Sequence, residues 1–106
     1  ATSTQIGDMA EASAIRAVFS GAKPVTANKS ALGHMLGATG AVEAGFTLFS
    51  LEEGVIPPTL NHQHADPDCG LNILRELASA PEARIAMSNS FGFGGANAVL
   101  VLGKGF

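Results

Sequence analysis

A glycine-rich turn between two apolar segments, and a lysine and histidine ahead of an apolar helix, are the parts of this 106-residue chain best suited to chemistry. The turn is Asn89-Ser90-Phe91-Gly92-Phe93-Gly94-Gly95-Ala96-Asn97, set between apolar residues 85–87 and 98–102. A strand, a turn and a second strand are predicted. Three glycines in four positions allow positive φ and close backbone approach. Two phenylalanines in such a turn are unusual, because turns favour polar residues. The pattern suits a turn that brings a backbone N–H and an aromatic wall to a buried site.

Other residues admit two readings each. His34, behind Gly33 and shortly after Lys29, could donate a hydrogen bond at the base of a pocket. It could also be a histidine satisfied by backbone carbonyls, the reading that spacing alone favours. Glu43 interrupts an otherwise apolar helix one turn beyond Gly40. If buried it needs a partner, for which Lys29 is the nearest in sequence; otherwise it reaches solvent at the helix edge. His62, His64 and Cys69 lack the spacing and the fourth ligand of a common zinc site, so a polar loop is the better reading and no metal is assigned. Asp66 and Asp68 make Cys69 a poor nucleophile. The glycines at 92–95 precede a strand and not a helix, which argues against a phosphate loop.

The elements that must position these residues follow from periodicity and breakers. Residues 1–5 read as a loop. Asp8 and Glu11 have capping-box spacing, and Met9, Ala12, Ile15, Val18 and Phe19 recur at helical intervals. Gly21 and Pro24 end that helix, and residues 25–28 suit a short strand. Residues 29–40 form a glycine-rich link into a second helix that runs to about Glu53. Ala41, Val42, Ala44, Phe46, Leu48, Phe49 and Leu51 leave that helix almost no polar face, which predicts burial in a larger body. Gly33, Gly37 and Gly40 are placed where close packing could require them. Residues 61–70 read as loop, 71–74 as a short strand, and 81–84 as the lead into the final hairpin.

Composition points the same way. Charged residues are 14% of the chain against 46% hydrophobic, whereas a free-standing domain carries about 25% charge. Much of the surface is therefore expected to lie under other protein. A net charge of −3 with scattered cations gives no electrostatic case for nucleic acid. The single cysteine excludes an internal disulfide. No apolar run reaches the roughly 18 residues of a membrane span.

In this order the pieces resemble the C-terminal half of the β-ketoacyl-acyl carrier protein synthases, and among them the elongating type. The matching motifs are Ala-Thr-Ser-Thr at 1–4, Gly-Asp-Met-Ala-Glu at 7–11, Lys-Ser-Ala-Leu-Gly-His at 29–34 and Gly-Ala-Thr-Gly-Ala-Val-Glu at 37–43. Ile-Pro-Pro-Thr-Leu-Asn at 56–61 and Asn-Ser-Phe-Gly-Phe-Gly-Gly at 89–95 complete the set. One departure is Thr39, where alanine is commoner.

The resemblance implies an α/β, thiolase-like fold, with residues 1–106 forming its C-terminal half: a mixed sheet with packed helices, one nearly fully buried. It implies that the nucleophilic cysteine and the first catalytic histidine belong to sequence ahead of Ala1. His34 matches the second histidine and Lys29 the active-site lysine. Phe93 matches the position whose N–H completes an oxyanion hole and whose ring gates the acyl chain, with Phe91, Gly92 and Gly94 shaping that substrate site. Thr2 and Thr4 match hydroxyls that bond a phosphopantetheine arm. Glu43 and Asn89 are supporting residues, near which some members bind a monovalent cation; no other cofactor is implied.

The implied reaction is decarboxylative condensation of malonyl-acyl carrier protein with an enzyme-bound acyl group. Implied partners are acyl carrier protein, the chain's own N-terminal half and a second copy, in bacterial cytoplasm or the mitochondrial matrix. A non-catalytic chain-length-factor-like subunit and a polyketide ketosynthase fragment are the alternatives. Polyketide domains usually carry a different pattern in the last glycine turn.

Overall fold

The computed structural model describes residues 1–20 and 22–105. In chain order its elements are α1 (Gln5–Phe19), β1 (Pro24–Val25), α2 (Lys29–Leu32), α3 (Thr39–Glu53), β2 (Val55–Ile56), β3 (Asn72–Ile73), β4 (Ala78–Ser79), β5 (Ile85–Phe91) and β6 (Asn97–Gly103). Short 3₁₀ turns occupy Leu36–Ala38 and Phe93–Gly95. The strands pair as three two-stranded sheets, β1 with β3, β2 with β4 and β5 with β6. The chain forms two units, Ala1–His34 with Pro57–Ala78, and Met35–Ile56 with Ser79–Phe106. Among the described residues, no helix is long and apolar enough to cross a membrane.

In the first unit α1 begins earlier than the Asp8–Glu11 spacing predicts. Thr4 is its N-cap and its carbonyl accepts the Asp8 N–H at 2.9 Å. Asp8 therefore sits in the first turn, where a carboxylate complements the helix dipole, and its Oδ1 accepts the Thr2 N–H at 3.1 Å. The helix closes at Ser20, left-handed at φ 53°, and Pro24 opens β1 instead of ending α1. The expected role of Gly21 lies outside the described residues. Ala12 is buried and Met9, Ile15 and Phe19 half-buried, as their spacing predicts. Val18 is 72% exposed, because it lies about 120° around the helix from Ala12 at 100° per residue.

Strands β1 and β3 run parallel, with Val25 opposite Ile73, and Leu74 N–H extends the pair by bonding Val25 O at 3.0 Å. The strand expected over residues 25–28 stops at Val25, because Ala27 and Asn28 carbonyls accept the first hydrogen bonds of α2. The glycine-rich link predicted over 29–40 holds elements of its own, α2 and a 3₁₀ turn, and its last two residues already belong to α3.

In the second unit β5 and β6 form the predicted hairpin, antiparallel from Ile85↔Gly103 to Phe91↔Asn97. Helix α3 packs against it. Gly40 lies over Ser90, where a Cβ would stand 3.6 Å from Ser90 Oγ, an ordinary contact, so packing there does not require glycine. The alternation of a strand puts Ala86, Ser88 and Ser90 on one face, and Ser88 is buried. At the far end Lys104 Nζ donates to Leu51 O at 3.0 Å and Glu52 O at 3.1 Å. An ammonium there satisfies open carbonyls at the negative end of α3.

The expectation of a nearly fully buried helix does not hold within this chain. Only Thr39, Glu43 and Leu51 of α3 are buried, while Phe46, Leu48 and Phe49 are exposed, Phe49 by 61%. Ile85, Met87, Phe91, Val99 and Val101 on the other face of the hairpin are exposed too. The β5–β6 hairpin covers one stripe of α3, and among the described residues Phe46, Leu48 and Phe49 stay open to solvent. The residues 1–106 expressed alone should therefore bind a hydrophobic dye and self-associate without a cooperative thermal transition. A monodisperse monomer by light scattering with a sharp calorimetric peak is the contrary result.

Candidate active site

Lys29 and His34 bracket α2 in the first unit. Lys29 is half-buried and His34 exposed. Between them Gly33 donates its N–H to Lys29 O at 2.9 Å and adopts φ 75°, ψ −178°. That region is essentially open to glycine alone. A Cβ at Gly33 or Gly37 would meet nothing within 4 Å, so close packing is not what either glycine serves. Gly33 instead redirects the backbone from the end of α2 into His34.

The same segment is held by two hydroxyls. Ser30 Oγ donates to Ala27 O at 2.7 Å and accepts the Leu60 N–H at 2.8 Å. Thr59 Oγ1 accepts the Ala27 N–H at 2.9 Å. Neither residue stands out by chemistry in the sequence; the signal that could have found them is their place inside the 29–34 and 56–61 motifs.

Thr2 and Thr4 present their hydroxyls 3.4 Å apart on an exposed surface. Thr4 makes no side-chain cap bond to α1. Its hydroxyl occupies the space over Gly7, where a Cβ would come within 2.5 Å of Thr4 Oγ1. Residue 7 must therefore be glycine for this arrangement of the two hydroxyls.

In the second unit the turn between β5 and β6 is closed by Gly92 N–H on Ala96 O at 2.8 Å. Gly94 and Gly95 take φ 75° and 78°, as their positions in the turn predict. A Cβ on Gly92 would meet Ala96 O at 3.2 Å. Phe93 at the tip is fully exposed and Phe91 partly so. Glu43 is 8% exposed, so the solvent-edge reading of this carboxylate is overturned. Asn89 is half-buried on β5, the strand against which α3 packs. Thr39 is buried at the first position of α3.

The loop with His62, His64 and Cys69 is organised by other means. Arg16 Nη1 donates to Asp68 O at 2.6 Å and to Cys69 O, and Asp66 Oδ1 accepts the Asp68 N–H at 2.9 Å. Among the described residues no group of three His, Cys, Asp or Glu side chains is placed to hold a metal ion.

A helix-on-hairpin unit and a strand pair leading into Lys29–His34 are thus assembled on motifs that recur in known proteins. The family model described as beta-ketoacyl synthase, C-terminal domain, matches residues 1–63, and the chain belongs to that family. It is 48% identical over 104 residues to the 3-oxoacyl-(acyl-carrier-protein) synthase 2 of Mycobacterium leprae (strain TN), covering 97% of this chain and 25% of that protein. The protein of the same name from Staphylococcus aureus (strain COL) is 44% identical over 106 residues, covering 97% of this chain and 26% of its own length. Among solved structures, the ishigamide ketosynthase/chain length factor superposes with a TM-score of 0.92 at 42% identity, over 99% of this chain and 26% of that one. The chain therefore spans about a quarter of the length of the curated relatives it matches.

The two glycines ahead of α3 should behave differently in the complete protein. Gly33→Ala should cost about 1–3 kcal/mol by forcing a side chain into its backbone conformation, while Gly37→Ala should stay within about 0.5 kcal/mol. Chemical denaturation of both variants checks this; equal stabilities would contradict the backbone requirement at Gly33.

Proposed function

We propose that this chain is the C-terminal part of an elongating β-ketoacyl-acyl carrier protein synthase with a thiolase-like fold. The observation that carries the reading is identity of 44–48% to 3-oxoacyl-acyl-carrier-protein synthases along nearly the whole chain. The retained Lys29, His34 and Phe93 support it. In the complete protein an acyl group is held on a cysteine of the N-terminal half. The bond between the malonyl carboxylate and the α-carbon breaks, carbon dioxide leaves, and the electron pair passes into the thioester as an enolate. The α-carbon then attacks the acyl thioester carbonyl, forms the new carbon–carbon bond and expels the cysteine thiolate.

His34 donates a hydrogen bond to the malonyl thioester oxygen as charge collects there. The Phe93 N–H does the same for the acyl-cysteine carbonyl, and its ring gates the acyl chain. Phe91, Gly92 and Gly94 shape that site. Thr2 and Thr4 offer hydroxyls to the amides of the phosphopantetheine arm on acyl carrier protein; their 3.4 Å separation on an exposed surface supports this. Lys29 and Glu43 serve as supporting charges. Glu43 and Asn89 would hold a monovalent cation where one is bound, and that ion would neutralise the buried carboxylate. The complete protein works as a homodimer in bacterial cytoplasm or the mitochondrial matrix.

The likeness to a ketosynthase/chain length factor favours a second reading, a non-catalytic partner subunit. Retention of Lys29, His34 and Phe93 speaks for the enzyme. The residue at the nucleophile turn of the preceding sequence decides between them, cysteine for the enzyme and glutamine for the partner.

In the complete protein His34→Ala should reduce malonyl decarboxylation by about 10²–10³-fold and leave acylation of the cysteine largely intact. Loss of acylation alone, measured by mass spectrometry of the loaded protein, would assign His34 a different role. Phe93→Ala should change acyl loading or the preferred chain length. Unaltered loading and product distribution would remove the ring from the gate.

A further inference from the structure

We propose that Ser30 and Thr59 are positioning residues for His34, fastening the segment that leads to the imidazole onto residues 59–60. The inference rests on the reading of His34 as the donor to the malonyl thioester. Its starting point is the weakness of α2. That helix has four residues, and its N-cap Asn28 makes no side-chain cap bond. A helix of one turn does not persist by its own hydrogen bonds, because nucleation is costly and only propagation repays it. Something outside α2 must hold it.

The hydrogen bonds around Ala27 do so. Val25 O accepts from Leu74 N–H at 3.0 Å, and Leu74 O accepts from Thr59 N–H at 2.8 Å. Thr59 Oγ1 takes the Ala27 N–H at 2.9 Å. Ala27 O then accepts from Ser30 Oγ at 2.7 Å, and Ser30 Oγ accepts from Leu60 N–H at 2.8 Å. This circuit runs from the β1–β3 pair through residues 59–60 into the first turn of α2. Pro57 and Pro58 precede Thr59 and restrict its approach by their fixed φ. Beyond the circuit only the rest of α2 and the conformation of Gly33 separate Ser30 from His34. Removing the Ser30 hydroxyl leaves the Leu60 N–H without its acceptor, removing that of Thr59 leaves the Ala27 N–H without its own, and either loosens the one turn that leads to His34. A displacement of about 1 Å at a catalytic group can cost about 10²-fold in rate.

The test uses the complete synthase with Ser30→Ala, Thr59→Val and the conservative Thr59→Ser. Malonyl-acyl carrier protein decarboxylation, acylation of the nucleophile and the thermal midpoint are measured for each. Ser30→Ala and Thr59→Val should lower the kcat of decarboxylation by about 10–100-fold, with KM and the acylation rate changed by no more than about twofold. Thr59→Ser, which keeps the hydroxyl, should restore decarboxylation to within about threefold of the native rate. The proposal is overturned if both hydroxyl-free variants decarboxylate at the native rate, or if both half-reactions fall equally with the thermal midpoint. Should Thr59→Val fail to fold, Ser30→Ala and Thr59→Ser decide by the same criteria. His34→Ala in parallel separates the two claims: native decarboxylation there removes the reading of His34 itself. Its loss there, with native rates in the hydroxyl-free variants, removes only the clamp.

Discussion

Among the described residues, the only buried apolar side chains are Ala12 and Leu51. Folding costs roughly 1–2 kcal/mol of backbone entropy per residue, and apolar side chains that are mostly half-buried or exposed offset it poorly. What fixes the functional segments locally is therefore a set of specific polar bonds. Ser30 and Thr59 grip both peptide groups of Ala27, Arg16 ties down the loop carbonyls of Asp68 and Cys69, and Lys104 holds the last carbonyls of α3. Apolar surface stays open on α3 and on one face of the β5–β6 hairpin.

The second unit shows how a polar layer can be packed tightly. Among the described residues Thr39, Glu43 and Ser88 are its buried polar residues, and Gly40 lies over Ser90 where helix meets strand. A carboxylate drawn so far from water is costly unless compensated. The burial of Glu43 fits the supporting role proposed for it.

The hairpin, its glycine turn and the span of α3 were legible in the sequence because their signals are local. Strand runs flank residues 92–95, Gly94 and Gly95 take the positive φ their positions imply, and Gly54 stops α3 in the left-handed region. The start of α1 was misplaced because Asp8 bonds back to Thr2 from within the first turn instead of capping the helix. Helix α2 was invisible because its anchors come from residues about thirty positions away, which no periodicity encodes. Strands β2 and β4, two residues each, are too short to leave an alternating pattern.

By itself, then, the sequence pointed to the family through six separated motifs, and determined which residues carry donors, hydroxyls and charge. Its scarce charge and a helix with almost no polar face raised the expectation that this surface is covered. Only the tertiary structure decided that Glu43 is buried, that Gly33 is required by its backbone and not by crowding, and that Ala27 is the junction holding α2. Residue type is a property of one position, whereas burial and hydrogen-bond partnership belong to pairs of distant positions and exist only once the chain has brought them together.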